Sequence, residues 1–419
     1  MLQQGTFAAD ILHYYGEDNN ISAMFRQAPA DLPDGYLYDF ASSDVVLNRL
    51  TVANGRLTTT SGMSYRLLVL DENTRRMPLA VLRKIRDHVN AGAAIVGPKP
   101  TESPSLMDDQ AEYGRIADEL WGSGSGQRTV GKGTVFAGGT AAAALSAMQV
   151  VPDFEYSRPQ PDTLLMFVHR RVSGGDIYWV NNRRKRDENV NVTFRVTGKA
   201  PEIWHADTGV IEPASYTTTN GRTIVPLRLN EHDAVFIVFR TPATAPSRTV
   251  PEARPTERAT LDGPWDVAFQ PNRGAPARIT LDTLASWTEN GDAGVKYFSG
   301  TATYKKILQA PAAWFKPGAL IWLDLGAVAN IAEVSVNGTP VDAVWRRPFR
   351  VNLTGALQAG SNTLEIKVTN VWVNRLIGDQ QPGATRIAFA ANQRYQADSP
   401  LLPSGLLGPV KVVSLGAVQ

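Results

Sequence analysis

The sequence contains no cysteine in 419 residues. Disulfide bonds, thiol catalysis and cysteine-based zinc sites are therefore excluded. The formal net charge of +2 gives no excess of positive charge, so we expect no nucleic-acid partner. No run of about 18 apolar residues occurs, so the sequence predicts no membrane-spanning segment.

Motifs for metal or nucleophilic catalysis are also missing. The five histidines stand singly, without HExxH or H-x-H spacing, and are expected to be packed or surface residues. Ser105 and Ser404 lack the G-x-S-x-G pattern of a nucleophile elbow. The remaining candidates for function are carboxylates and a cluster of tryptophan and arginine.

Residues 1–150 alternate strand-like and helix-like segments. The apolar run Arg66–Leu70 is typical of a buried parallel strand, and Met77–Val89 has its apolar residues at helical spacing. The other predicted elements are the strands Phe7–Tyr15, Ala94–Gly97 and Gly133–Phe136, the helix Glu112–Trp121, and Ser43–Asn48 as a short helix or strand. This series predicts a flavodoxin-like or amidotransferase-like α/β domain.

The rest of the chain is predicted to be β-rich. Residues 151–240 alternate apolar and polar side chains with a period of two, which predicts an antiparallel β-sandwich. Residues 241–260 are rich in proline, alanine and threonine and predict an extended linker. Residues 261–419 contain alternating runs such as Leu364–Val368 and the turn Asn337-Gly338, which predict a second sandwich. The expected fold is therefore multidomain, α/β followed by all-β.

Several motifs carry a resemblance to known families. LDGPW at 261–265 and PFRVNLTGALQAGSNTL at 348–364 resemble the jelly-roll, galactose-binding-like domain of β-galactosidase-type hydrolases. NVWVNRLIGD at 370–379 and LLPSGLLGPVKVV at 401–413 look more specifically like the C-terminus of glycoside hydrolase family 106, the α-L-rhamnosidases. Early segments such as GPKPTESPSL at 97–106 agree, so the resemblance covers essentially the whole chain.

This resemblance implies an activity that depends on a catalytic (β/α)₈ barrel, with two glutamates and a nearby calcium ion. A barrel needs about 250 residues, so we expect it to be absent here and supplied by a longer parent. Met1–Gly5 resembles an internal segment of longer proteins, which suggests a truncated product. The parent family is expected to be periplasmic or secreted, but the N-terminus lacks a signal-peptide pattern.

Glu17 and Asp18 are the candidate catalytic carboxylates. They follow a predicted strand, so they would lie at the carboxyl edge of the sheet, where α/β folds bind ligands. Glycoside hydrolysis needs two carboxyl groups on either side of the scissile bond. The alternative is that they cap a helix or line a domain contact.

Nearby oxygen-bearing side chains make calcium a candidate cofactor. Asp39 and Asp44 flank a second loop, and Asp18, Asn19 and Asn20 add further oxygens of the type that hard cations prefer. Solvation of polar loops is the simpler interpretation of the same residues. The sequence predicts no definite metal site.

A tryptophan–arginine cluster is the candidate carbohydrate-binding site. Its members are Trp345, Arg346, Arg347, Trp372, Asn374 and Arg375. Aromatic faces stack on sugar rings, and arginine and asparagine donate hydrogen bonds to hydroxyls. The alternative interpretation, which we favour for Trp372, is that this tryptophan fills the sandwich core and that Arg375 pairs with Asp379.

Three functions are therefore open from the sequence. The chain is expected to be the C-terminal accessory and carbohydrate-binding part of an α-L-rhamnosidase-like hydrolase that acts on rhamnosylated glycans. Alternatively, it is an autonomous minimal glycosidase that uses Glu17 and Asp18. The third hypothesis is a structural or interaction module without sugar affinity.

Overall fold

The computed structural model describes residues 1–19, 32–251 and 255–415. The chain divides into two compact units, Met1–Val250 and Pro251–Gln419. Strands predominate over helices in both units, so the predicted multidomain, β-rich fold is confirmed. No helix in the described ranges has the length and apolar character needed to cross a membrane.

The first unit contains a mainly parallel sheet. Its strands, from edge to edge, are Tyr38–Ala41, Ile11–Tyr14, Leu67–Leu70, Ala94–Gly97, Gly133–Ala137 and Gly126–Val130. Every neighbouring pair is parallel except the last, in which Gly126–Val130 runs antiparallel to Gly133–Ala137. The three central strands are buried along their whole length, as expected for a sheet covered on both faces.

Helices cover both faces of this sheet. Leu79–Ala91 and Gln110–Trp121 pack on the face that carries Leu68 and Leu70, and Ala141–Ala147 packs on the face that carries Leu67 and Val69. Asp109 caps the helix Gln110–Trp121 by accepting from the backbone of residues 111 and 112. Beside the sheet lie a short π-helix and a three-stranded meander: Val45–Arg49, then Leu50–Ala53, Arg56–Thr59 and Ser64–Tyr65. The segment Ser43–Asn48 thus lies mostly in a short helix.

The second part of this unit is a sandwich of two antiparallel sheets. One contains Thr6–Phe7, Leu165–Val172, Gly175–Asn182, Ala234–Pro242, Lys199–Trp204 and Ile211–Pro213. The other contains Phe154–Tyr156, Glu188–Phe194, Arg222–Leu229, Tyr216–Thr219 and Ser247–Arg248. Alternate side chains of Glu188–Phe194 are buried against the facing sheet. The alternation of apolar and polar residues therefore marks a strand with one buried face, as predicted.

Two predicted segment boundaries are wrong. The strand predicted over Phe7–Tyr15 is two strands, because Thr6–Phe7 pairs with Leu165–Val172 whereas Ile11–Tyr14 joins the parallel sheet. The predicted linker 241–260 contains the end of the strand Ala234–Pro242 and two further paired strands, Ser247–Arg248 and Thr256–Thr260. In these segments, pairing with a distant strand decides the structure rather than local composition. The partner strand satisfies the backbone N–H and C=O groups, so a strand forms even where the sequence does not favour one.

The second unit contains a six-stranded and a four-stranded antiparallel sheet. The six-stranded sheet is Arg278–Leu281, Trp265–Phe269, Thr301–Ala310, Gly360–Thr369, Ile331–Val336 and Thr339–Val344. The four-stranded sheet is Thr256–Thr260, Lys411–Leu415, Leu320–Asp324 and Arg350–Asn352, and a further pair joins Ala327–Ala329 to Gly405–Gly408. Short helical turns are Trp287–Glu289, Ala293–Lys296, Ala312–Trp314 and Val373–Gly378. The core between the sheets contains Trp265, Trp287 and Tyr304.

Candidate functional site

Glu17 and Asp18 lie just beyond the carboxyl end of the strand Ile11–Tyr14, as predicted. Glu17 accepts a hydrogen bond from the hydroxyl of Ser43, which also lies 3.0 Å from the Tyr14 hydroxyl. Burial is the main reason why the pKa of Tyr14 rises to about 12, so this phenol stays protonated near neutral pH. Asp18 accepts from Arg76 at 3.1 and 2.7 Å, one bond to each carboxylate oxygen.

These pairings do not favour glycosidase chemistry at the two carboxylates. A retaining or inverting enzyme needs two carboxyl groups directed at one scissile bond. Here Glu17 is bound to a serine and both oxygens of Asp18 are bound to a guanidinium. The arrangement instead resembles a polar contact that holds the loops at this edge of the sheet.

The oxygen-bearing side chains nearby are also engaged with protein partners. Asp39 accepts from the Tyr65 hydroxyl at 2.8 Å, and burial raises the pKa of Asp39. Asp44 accepts from Asn48 at 2.8 Å, and Asn19 donates to Asp71 at 2.8 Å. Asn20 lies outside the described residues. Within the described ranges, no group of three or more histidine, aspartate or glutamate side chains is placed to hold a metal ion.

The structure divides the predicted tryptophan–arginine cluster into exposed and buried members. Trp345 and Trp372 are 59% and 68% exposed, whereas Asn374 and Arg375 are 1% and 7% exposed. The prediction that Trp372 fills the core is therefore wrong, because the residue precedes a helix whose opposite side is buried. Arg346 is half-buried and donates to the backbone carbonyl of the next residue at 3.3 Å.

Asn374 and Arg375 hold the short helix Val373–Gly378 in place. Asn374 donates to the Leu402 carbonyl and the Ser404 hydroxyl, both at 2.7 Å, and accepts from the Leu402 amide at 2.9 Å. The predicted ion pair of Arg375 with Asp379 is confirmed at 2.9 Å. The two most specific sequence motifs, at 370–379 and 401–413, are thus hydrogen-bonded to each other.

A pocket of about 200 Å³ lies beside Trp372. It is lined by Gln270, Arg273, Ser299, Gly300, Thr301, Thr369, Asn370, Trp372, Arg375 and Ala388. Pairing of Thr301 with Thr369 brings its distant segments together. Neither Trp345 nor Arg346 belongs to the lining, so the predicted cluster does not form a single site.

Sequence reasoning missed most of this pocket. Gln270, Arg273 and Ser299 carry no motif and lie about 70–100 positions before Trp372, at a spacing that no helical or strand periodicity reaches. The only available signal was Trp372 beside Asn374 and Arg375 in the sequence. The antiparallel pairing that adds the other lining residues cannot be predicted from local pattern.

A buried ionic network connects the two parts of the first unit. His169 lies between Asp153 and Asp176, with nitrogen–oxygen distances of 2.7 and 3.1 Å. Asp153 also accepts from the Tyr178 hydroxyl at 2.9 Å and lies 3.3 Å from Arg195. The Arg195 guanidinium also donates to the carboxylate of Asp10, beside the parallel sheet, at 2.7 Å. The residues of this network form no motif in the sequence, so the network could not be predicted. His169 is a packed histidine, as expected.

The charges of this network shift its pKa values. Burial alone would lower the pKa of His169, but the hydrogen bonds and charges of Asp153 and Asp176 outweigh burial and raise it. Burial alone would raise the pKa of Asp153, but the contacts with His169 and Arg195 outweigh burial and lower it. The network therefore favours the imidazolium form of His169 and the ionised form of the two carboxylates.

This network predicts a pH dependence of stability. The pKa of His169 is raised in the folded protein, so protonated His169 stabilises the fold. This stabilisation is fully present below the ordinary histidine pKa of about 6.5 and is lost as the pH rises through the pKa of His169 in the folded protein. We expect the stability difference between wild type and His169→Gln to shrink in alkaline solution, by about 1.4 kcal/mol per unit of raised pKa. Urea unfolding of both proteins across this pH range measures the difference. A difference that grows with pH would contradict the imidazolium assignment.

Known proteins resemble this chain over most of its length. The sequence profile of the α-L-rhamnosidases, glycoside hydrolase family 106, matches residues 1–218. The solved structure of a rhamnosidase from Novosphingobium sp. PP1Y superposes with a TM-score of 0.87 at 42% identity, covering 98% of this chain and 39% of that one. A putative β-glucuronidase from Formosa agariphila is 25% identical, covering 98% of this chain and 56% of that protein. The chain thus spans between 39% and 56% of the length of these two relatives.

Proposed function

The chain belongs to the α-L-rhamnosidase family, and from this premise we propose that it is the carbohydrate-binding and supporting part of a hydrolase that acts on rhamnose-containing glycans. Its partner in this role is a rhamnosylated glycan or glycoside. The catalytic carboxylates come from a (β/α)₈ barrel outside this chain. The observation that carries the proposal is the exposure of Trp345 and Trp372 on the second unit.

Finer fold assignments accompany this proposal. The five parallel strands have the spatial order 2-1-3-4-5 when numbered along the chain, which is the flavodoxin-like order and supports a flavodoxin-like α/β domain. Five parallel strands are fewer than the eight that close a (β/α)₈ barrel. The paired antiparallel sheets of the second unit support a galactose-binding-like jelly roll.

The proposal favours sugar binding over catalysis for this chain. Exposed tryptophan rings are costly to leave in water and are suited to stack on the apolar faces of sugars. The carboxylates of Glu17 and Asp18, by contrast, are hydrogen-bonded to Ser43 and Arg76. No observation on the described residues favours an autonomous glycosidase, so that alternative is not proposed.

Replacement of either exposed tryptophan by alanine tests the proposal. Trp345→Ala and Trp372→Ala are each expected to weaken binding of a rhamnosylated oligosaccharide by about twofold to tenfold, since an aromatic stacking contact contributes about 0.5–1.5 kcal/mol. The free energy of unfolding should change by less than about 0.5 kcal/mol, because both side chains are exposed. Titration calorimetry and urea unfolding of the whole chain measure the two quantities.

The control is Phe315→Ala, which removes another partly exposed aromatic ring of the same unit and should leave affinity unchanged. Unchanged affinity in both tryptophan variants would contradict a sugar-binding role. Turnover of an aryl α-L-rhamnoside by this chain that disappears in Glu17→Gln would contradict the supporting role, because it would locate the active site at the sheet edge.

A further inference from the structure

The pocket beside Trp372 has the size of a subsite for one sugar ring. It lies at the ends of the paired strands Thr301–Ala310 and Gly360–Thr369. Its volume of about 200 Å³ is below the roughly 300–1,000 Å³ of sites for drug-sized ligands. A monosaccharide unit therefore fits better than a longer segment of glycan inside the pocket.

Trp372 lies on one side of the pocket, and the loop that contributes Ala388 to the lining is held in position. Trp372 is 68% exposed, and Phe389, next to the lining residue Ala388, is 87% exposed. The buried carboxylate of Asp379 accepts from the amides of Ile387 and Ala388 at 3.2 and 2.8 Å, which fixes the loop. A fixed wall lowers the entropic cost of binding a ligand.

The pocket floor offers hydrogen-bond donors. The hydroxyls of Thr301 and Thr369 are 2.8 Å apart, so one proton lies between them and the other is left to donate. Gln270 accepts from the Thr301 amide through its carbonyl oxygen at 3.3 Å, which leaves its NH₂ group as a donor. These groups suit the oxygen atoms of a sugar.

The charge of the pocket lining is positive. The lining contains two guanidinium groups and no carboxylate side chain. Arg375 is paired with Asp379, whereas Arg273 makes no ion pair of 4.0 Å or less with any residue in the described ranges. Gly274 allows the Arg273 loop to pack closely, because a Cβ at Gly274 would lie 3.1 Å from the Arg375 guanidinium and 2.7 Å from Ile387.

We propose that this pocket binds a uronic acid unit of the glycan, with the ring against Trp372 and the carboxylate bound by Arg273. Guanidinium and carboxylate match in geometry and form the stronger, charge-assisted type of hydrogen bond. This inference rests on the proposed carbohydrate-binding function and deepens it, because it assigns the chemical class of one bound sugar. A neutral sugar would leave the unpaired charge of Arg273 without a partner.

The test compares acidic and neutral sugars of the same ring. D-Glucuronic acid and D-galacturonic acid are titrated into the whole chain beside D-glucose and D-galactose, with ligand-observed NMR as the readout. We expect the wild type to bind each uronate at least tenfold more tightly than its parent hexose, a difference of about 1.4 kcal/mol. Salt should reduce this preference, because it screens the exposed charge of Arg273.

Two variants and a control locate the effect. Arg273→Gln should remove the preference for uronate and leave hexose affinity unchanged, whereas Trp372→Ala should weaken binding of both sugar types. Arg278→Gln is the matched control, since Arg278 is an exposed arginine of the same unit, paired with Asp266 at 3.5 Å, outside the pocket. This control should keep the wild-type preference.

The outcomes separate the two proposals. Equal affinity for uronate and hexose, or a preference that survives in Arg273→Gln, would overturn the uronate assignment while leaving the carbohydrate-binding function intact. Failure of all four sugars and of the rhamnosylated oligosaccharide to bind would overturn both. Binding that Trp372→Ala does not weaken would place the sugar elsewhere and would also overturn the assignment.

Discussion

Asp153→Asn is expected to lower the free energy of unfolding by about 3–5 kcal/mol. Asp153 is 1% exposed and contacts His169, Tyr178 and Arg195. Removal of its charge takes away the carboxylate that the imidazolium and the guanidinium share, so that His169 keeps only Asp176 and Arg195 keeps only Asp10 as ionic partners. Loss of one partner from a buried ionic network is strongly destabilising. Because a domain is stable by only about 5–15 kcal/mol, this change would remove a large part of the stability of the first unit.

Urea unfolding followed by circular dichroism measures this loss. The control is Asp34→Asn, because Asp34 is also paired with an arginine, Arg158, at 2.9 Å, but is 92% exposed. An exposed pair contributes little, so the control should unfold like wild type. In the double variant Asp153→Asn with His169→Gln, the losses should be less than additive, since both residues belong to one network. Strict additivity would contradict the coupling.

Asp379→Asn is expected to destabilise the second unit by a comparable amount, about 3–5 kcal/mol. The carboxylate neutralises Arg375 and accepts from the amides of Ile387 and Ala388. Its replacement leaves a buried guanidinium without a counter-charge and loosens the loop that forms one pocket wall. The fluorescence of the buried tryptophans Trp265 and Trp287 reports unfolding of this unit.

The matched control for this change is Asp266→Asn. Asp266 pairs with Arg278 at 3.5 Å, but both side chains are about half exposed or more, so stability should stay near that of wild type. A variant Asp379→Asn that keeps wild-type stability and loses sugar binding would contradict the structural role. In that case Arg375 and its partner would act directly on the ligand.

Secondary structure was predictable where a single periodicity dominates. The strand Ala94–Gly97 and the helix Leu79–Ala91 follow from short apolar runs and from apolar residues at helical spacing. Thr6–Phe7 was not separated from the strand Ile11–Tyr14, and Thr256–Thr260 was assigned to a linker, because each is short and is stabilised by its partner strand. Local pattern contains no information about such a partner.

The candidate site was predictable only in part. Trp372 could be recognised as an aromatic residue beside arginine, but whether it is buried depends on the side of a six-residue helix on which it lies. Asn374 and Arg375 have the chemistry of sugar-binding residues, and yet their polar groups contact Leu402, Ser404 and Asp379. Side-chain type alone does not distinguish a ligand contact from an internal one.

The sequence by itself determined the β-rich, multidomain class, the absence of thiol chemistry and the family resemblance through the motifs at 370–379 and 401–413. These properties depend on composition and on neighbouring residues. Tertiary structure alone decided which polar residues face solvent, which carboxylates are already paired, and that Arg273 joins Trp372 in one pocket. The physical reason is that burial and electrostatic pairing depend on contacts between residues far apart in the chain, and such contacts exist only after the strands have paired.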